Sequence, residues 1–165
     1  MIADAPTITV DLANYADPAD AALLADLLDA YARDPMGGGA PLSDHARGNF
    51  VAGLAATGGA FSLIARVDGA GVGLANCLMG YSTFAAAPLV NIHDMAVLPG
   101  QRGHGIGRAL MQAIEAEALK RGATKITLEV LSGNDAAKHL YAACGFGDYQ
   151  LDPQAGSALF WQKRL

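Results

Sequence analysis

Val97-Leu-Pro-Gly-Gln-Arg-Gly-His-Gly-Ile-Gly-Arg108 is the stretch on which the rest of this chain turns. A short apolar run feeds a turn with glycines at 103, 105 and 107, and an amphipathic helical pattern begins at once. Glycine carries no Cβ, so backbone N–H groups in such a turn can come close to a ligand. The helix start adds its unpaired N–H groups and about half a positive charge from the aligned peptide dipoles. The combination predicts a cradle for phosphate.

Outward from the turn, Leu89 to Leu98 reads as the strand that feeds it. Ile106, Leu110, Ile114 and Ala118 form one apolar stripe of the helix that leaves it, closed by Lys120, Arg121 and Gly122. Lys125 to Leu131 is the next strand, and Asn134 caps a helix that Gly145 stops. Upstream, Thr7 to Leu12 alternates as a first strand. Asp17-Pro18 opens a helix with Leu24, Leu27, Leu28 and Tyr31 on one face, running until Pro35. A flexible loop covers Met36 to Pro41, and Ser43 caps a second helix through Leu54 that ends near Gly58-Gly59. Ala60–Val67 and Val72–Thr83 are strands joined at Asp68-Gly69, a hairpin signal; Gly73 and Gly80 suggest a bulge or bend. Tyr149–Leu151 and Ala158–Arg164 read as closing strands. This order predicts a mixed α/β fold, with a central sheet of about seven strands and helices on both faces. All 165 residues are expected to form one domain, large enough for a core without staples.

Composition narrows the function classes. A formal net charge of −5 disfavours nucleic acid and anionic membrane surfaces as partners. Cys77 and Cys144 form no Cys-x-x-Cys pattern, so neither a redox pair nor a metal site is expected. No apolar run reaches the ~18 residues of a membrane span. No basic segment precedes an apolar stretch near Met1, so a cytoplasmic protein is expected. A dinucleotide-binding unit competes for the glycine turn, with Glu129 downstream as its acidic residue. Arg108 stands where that motif needs its third glycine. A Walker A loop fails for want of Gly-Lys-Ser/Thr, and a glycine turn without ligand is the remaining alternative.

The order Arg102-x-x-Gly105-x-Gly107, after a strand ending Val97-x-Pro99, resembles the acetyl-CoA-binding motif of the GCN5-related N-acetyltransferases, the GNAT superfamily. Lys125-Ile-Thr-Leu-Glu-Val-Leu131 resembles that family's next strand. Asn134-x-x-Ala137-x-x-x-Tyr141-x-x-x-Gly145-Phe146 resembles the helix after it. Within the superfamily, Ile92 to Pro99 is most similar to the diamine (spermidine/spermine-type) acetyltransferases. The resemblance implies a GNAT fold, acetyl-CoA as cosubstrate, and direct transfer of acetyl to a primary amine of a small molecule such as a diamine or amino acid. It implies that the pyrophosphate lies on the backbone of Arg102, Gly103, His104, Gly105, Ile106 and Gly107, with Arg108 beside it. The backbone of Met95, Ala96 and Val97 would accompany the pantetheine. Asn134 would bond it, and Tyr141 would protonate the departing thiolate. A homodimer is implied through the closing strand.

An alkylamine of pKa near 10.4 is protonated at pH 7, so its neutral form lies about 3.4 units, roughly 4.6 kcal/mol, uphill. A base is therefore useful. His93 has a suitable intrinsic pKa and occupies the position of a glutamate base in diamine-type relatives. Asp94 is the other candidate, facing away from His93 on an alternating strand. The plainer readings are a hydrogen-bonded structural histidine at 93 and a core tyrosine at 141. Cys144 is expected to be buried and inert. Tyr81, Phe84, Phe160 and Trp161 read as core or dimer contacts, and Asp34 and Asp44 as recognisers of a cation or as solvated caps. Two rival functions stay open: a protein N-terminal or lysine acetyltransferase, and a non-catalytic acyl-CoA-binding regulatory module.

Overall fold

The computed structural model describes residues 6–149, 152, 154 and 156–165, and divides the chain after Leu128. The first unit contains β1 (Ile8–Leu12), α1 (Pro18–Arg33), α2 (Asp44–Ala56), β2 (Ala60–Val67), β3 (Ala70–Ser82), β4 (Ala87–Val97), α3 (Ile106–Lys120) and β5 (Ile126–Leu128). The second, Glu129–Leu165, contains α4 (Asp135–Ala143). The sheet runs β1-β2-β3-β4-β5, antiparallel up to β4, with β5 parallel to β4. The parallel pair is joined through α3, the crossover that such a pair requires.

Local chemistry sets these boundaries. The Asp17 carboxylate accepts from Ala19 N–H and the Ser43 hydroxyl from Ala46 N–H, satisfying donors at the starts of α1 and α2. Asp68 and Gly69 both have positive φ, 48° and 84°, the left-handed pair that turns a two-residue hairpin with the right twist. The sheet is covered on both faces. Leu24 and Leu27 of α1 pack on Ile64 and Leu74 on one side. On the other, Leu110 lies against Gly73 and the Arg121 guanidinium sits 4.3 Å above the Phe61 ring. Gly73 is required for packing, since a Cβ there would stand 2.9 Å from the Ala96 carbonyl oxygen. A register shift opposite Ala65 and Arg66 falls in the same stretch of β3, where a bulge was expected.

The closing strands depart from expectation. Tyr149 and residues 158–164 carry no strand, while Gln150 and Leu151 lie outside the described residues. Five strands are therefore found among the described residues rather than about seven. Leu159-Phe160-Trp161 is a contiguous apolar run followed by Gln-Lys-Arg, without the period-two alternation of a half-buried strand. Aromatic propensity alone does not hold a strand that has no ladder partner. Tyr81, Phe84, Phe160 and Trp161 are all exposed, so none of them is core. β5 is also shorter than Lys125–Leu131.

Candidate active site

Strand β4 carries a bulge at its centre. Its register with β3 pairs Asp94 with Asn76 and Ile92 with Cys77, which leaves His93 as the extra residue. Ile92 shares a face with Cys77 and Phe61, the α3 side, whereas Asp94 and Asn76 share the α1 side with Ser62 and Ile64. Ile92 and Asp94, two residues apart, thus face opposite ways, and the period-two alternation of the strand is broken at His93. His93 is exposed and has no hydrogen-bond or ion-pair partner among the described residues. Asp94 is half-buried and accepts from Asn76 Nδ2 at 3.0 Å.

The bulge also marks where β4 loses its second neighbour. Pairing with β5 covers Val90, Ile92 and the residue between them, and pairing with β3 continues to Val97. Among the described residues, the β5-side edge of Asp94, Met95, Ala96 and Val97 has no strand partner. An exposed edge of this kind can hydrogen-bond an extended ligand.

The edge leads into the glycine turn. Pro99–Gln101 form one 3₁₀ turn, in which Arg102 N–H donates to the Pro99 carbonyl at 3.4 Å. Gly103 (φ +83°) and Gly105 (φ +86°) are both left-handed, and a Cβ on either would meet no protein atom within 4 Å. Gly105 is the N-cap of α3 and offers no side-chain acceptor. The next bond is Ala109 N–H to the Gly105 carbonyl, 3.0 Å, so the N–H groups of Ile106, Gly107 and Arg108 have no intrahelical acceptor. The Ile106 side chain is buried and anchors the helix start in the core. Arg108 is exposed and has no ion-pair partner among the described residues, and His104 is exposed with Nδ1 3.4 Å from the Gln101 carbonyl. Free donors, an anchored helix and open space over two left-handed glycines fit a diphosphate.

Arg102 has a different part from its neighbours. Its Nε donates to the Val97 carbonyl at 2.9 Å and its Nη2 to Asp34 Oδ2 at 2.8 Å, bracing the end of α1 against the end of β4. Asp34 also accepts from Met36 N–H, and that bond, with Arg102, holds its carboxyl below the usual carboxylate range. It is therefore a cap and a brace instead of a free receptor for a cation, while Asp44 is exposed at the start of α2. Tyr31, which sequence patterning assigned only to an apolar face, lines a small crevice with Leu27, Ala30, Leu74, Ala96 and Arg102. Burial pushes its phenol up, aided by the negative fields of Asp94 and Asp34.

Burial pushes the Cys77 thiol up to about 12, leaving it neutral and unreactive. In the second unit, Asn134 Oδ1 accepts from Ala137 N–H at 3.1 Å as the expected cap of α4, and Gly145 (φ +88°) ends that helix. Tyr141 is half-buried with its ring 6.1 Å from that of Phe146. Cys144 is half-buried, less enclosed than expected.

With this geometry in place, comparison with known proteins is informative. The sequence pattern of the acetyltransferase (GNAT) family matches residues 24–146. The chain belongs to this family. Streptothricin acetyltransferase of Streptomyces lavendulae is 44% identical over 63 residues, 38% of this chain and 33% of the relative. The [ribosomal protein bS18]-alanine N-acetyltransferase of Escherichia coli K12 is 39% identical over 57 residues, 34% of this chain and 38% of the relative. This GNAT chain thus matches well under two thirds of the length of these curated relatives. In structure, aminoglycoside N-acetyltransferase AAC(6')-Iy, solved with CoA, superposes with a TM-score of 0.76 at 19% identity, covering 100% of both chains. That likeness establishes the GNAT fold for the mixed sheet described above.

Proposed function

We propose that this GNAT chain is an N-acetyltransferase that moves acetyl from acetyl-CoA directly to a primary amine of a small molecule, with residues 1–165 acting as one catalytic domain. The observation that carries this reading is the unpartnered edge of β4 from Asp94 to Val97, running straight into the donor-rich turn at 103–108. The turn and the α3 N-terminus would hold the pyrophosphate, and Arg108 is a nearby cation with no ion-pair partner among the described residues. Backbone donors of Met95 to Val97 would face the thioester carbonyl, where a pre-aimed N–H is worth about 3–4 kcal/mol as the oxyanion develops. His93, exposed beside this edge, would take the proton from the amine, which otherwise costs about 4.6 kcal/mol at pH 7. Tyr141 would return a proton to the thiolate. For Tyr141 and Asn134 the support is their motif on α4.

Relatives named for streptothricin and for aminoglycosides favour a small amine as acceptor. A peptide N-terminus is the second reading, favoured by the likeness to the bS18-alanine enzyme. We include a homodimer in the proposal, supported by the exposed Tyr81 and Phe84 near the β3–β4 turn; sedimentation velocity would decide it. The function is tested by calorimetric titration with acetyl-CoA, with NAD as control, followed by thiol release against diamines, amino acids, aminoglycosides and an alanine-terminated peptide. Amine-dependent CoA release from small amines is expected. Turnover of the peptide alone would replace the small acceptor, and binding without any turnover would make this chain a sensor.

A further inference from the structure

Four polar side chains cross the α1 face of the sheet in a row. Ser62, Asn76 and Asp94 are direct cross-strand neighbours on β2, β3 and β4, and Tyr15 reaches Ser62 from the loop after β1. Tyr15 Oη lies 2.8 Å from Ser62 Oγ, Ser62 Oγ donates to Asn76 Oδ1 at 2.6 Å, and Asn76 Nδ2 donates to Asp94 Oδ2 at 3.0 Å. The serine has one proton and gives it to Asn76, so Tyr15 must be the donor to Ser62. Every donor in the row therefore points towards Asp94, and each bond polarises the next in the same direction.

The surroundings make the row unusual. Leu24, Leu27, Ile64 and Leu74 are buried in an apolar cluster on the same face. Ser62 and Asn76 are 1% and 2% exposed, and two apolar side chains of similar size would fill these positions without any need for partners. The row also depends on the bulge at His93, which turns Asp94 to this face when continued alternation would have placed it with Ile92. The backbone irregularity and the chain of donors that it makes possible converge on one carboxylate. That carboxylate adjoins the unpartnered β4 edge, and its field reaches Tyr31 at the small crevice. Its Oδ2 is taken by Asn76, and Oδ1 has no hydrogen-bond partner among the described residues.

We propose that Asp94 is the anchor for the ammonium of the acceptor, and that Tyr15, Ser62 and Asn76 are positioning residues that hold it in place. The acceptor is then a cationic primary amine whose ammonium is bound by Oδ1 next to His93. This assignment rests on the acetyl-transfer reading above and names the acceptor class for the same site.

The test uses 1,4-diaminobutane as probe, in two measurements on the full chain: steady-state acetyl transfer, and calorimetric binding of the diamine to protein saturated with CoA. Asp94→Asn should raise the diamine KM and Kd about 10- to 100-fold, the loss of one hydrogen bond to a charged group. Asn76→Ala should follow it, and Tyr15→Phe, a milder change that keeps the ring, should raise both about 2- to 10-fold. Acetyl-CoA affinity should be unchanged throughout. Ile64→Val, on the same face but without a polar atom, should lower Tm while leaving the diamine KM alone, which separates positioning from general loosening. If Asn76→Ala does not fold, Tyr15→Phe still carries the test. Wild-type diamine affinity in Asp94→Asn, or equal acceptor KM across the series, would overturn the assignment. Asp94-dependent diamine binding without turnover would retain the anchor and sink the transferase reading. A wild type that neither acetylates nor binds the diamine would overturn both.

Discussion

Replacing Gly105 by alanine separates the backbone demand of the turn from its use as a cradle. Gly105 sits at φ +86°, ψ −3°, where an L residue costs about 1–2 kcal/mol. The stiffer unfolded chain returns about 0.4–1 kcal/mol, and no protein atom lies within 4 Å of the new methyl to add a clash. The net loss is therefore about 0–1.5 kcal/mol, or at most roughly 6 °C in Tm for a chain of this size. Gly69, at the β2–β3 turn, supplies the matched control. Its φ is +84° and a Cβ there also meets nothing within 4 Å, so Gly69→Ala should lose a similar Tm. The two variants should differ in CoA binding. At Gly105 the methyl occupies the open side from which a diphosphate would approach the helix N–H groups, and losing one or two charge-assisted bonds of about 1.5–3 kcal/mol weakens Kd at least 10-fold. Calorimetric titration with CoA, alongside thermal unfolding of both variants, reads the two effects separately. Equal CoA affinity in Gly105→Ala and Gly69→Ala would refute the cradle.

Tyr141→Phe is expected to lower kcat with acetyl-CoA affinity unchanged; a wild-type rate in single-turnover acetyl transfer would assign Tyr141 to packing against Phe146. A thiol reagent should label one cysteine, Cys144, in the native protein and two after unfolding, because burial keeps Cys77 protonated; mass spectrometry finding label on native Cys77 would contradict that. The Asp34 carboxyl is held low, so its contribution to stability is present above the unfolded pKa of about 3.9 and is lost as pH falls through the lower folded value. Asp34→Asn should thus lower Tm near neutral pH by no more than about 2–4 °C, given the exposure of Arg102, and the gap should close below pH 4. A gap that persisted at pH 2 would show that Asp34 acts through shape alone.

Local signals were legible where local chemistry settles the matter. Asp17-Pro18, Ser43 and Asn134 start helices because each side chain satisfies a backbone donor within three residues. Asp68-Gly69 turns a hairpin because two left-handed residues match strand twist. The glycine turn announced itself because φ near +85° and open backbone are written directly as glycine. The strand expected over Ala158–Arg164 is not formed, because Leu159-Phe160-Trp161 has strand-forming residues but no paired edge among the described residues to hold them. Tyr31, Tyr15, Ser62 and Asn76 were invisible as parts of a site. Each belongs to a segment whose pattern says only strand, helix or loop, and nothing in a linear pattern says that Ser62, Asn76 and Asp94 stand side by side.

The sequence by itself determined the GNAT character of residues 97–108 and 134–146, since those motifs are short-range arrangements of backbone donors and helix caps. Tertiary structure alone decided which way Asp94 faces and what Arg102 does. The first depends on a one-residue slip between β3 and β4, which exists only in the register of two strands. The second depends on Asp34 arriving, 68 residues away in sequence, within 2.8 Å of a guanidinium that would otherwise have been free for phosphate.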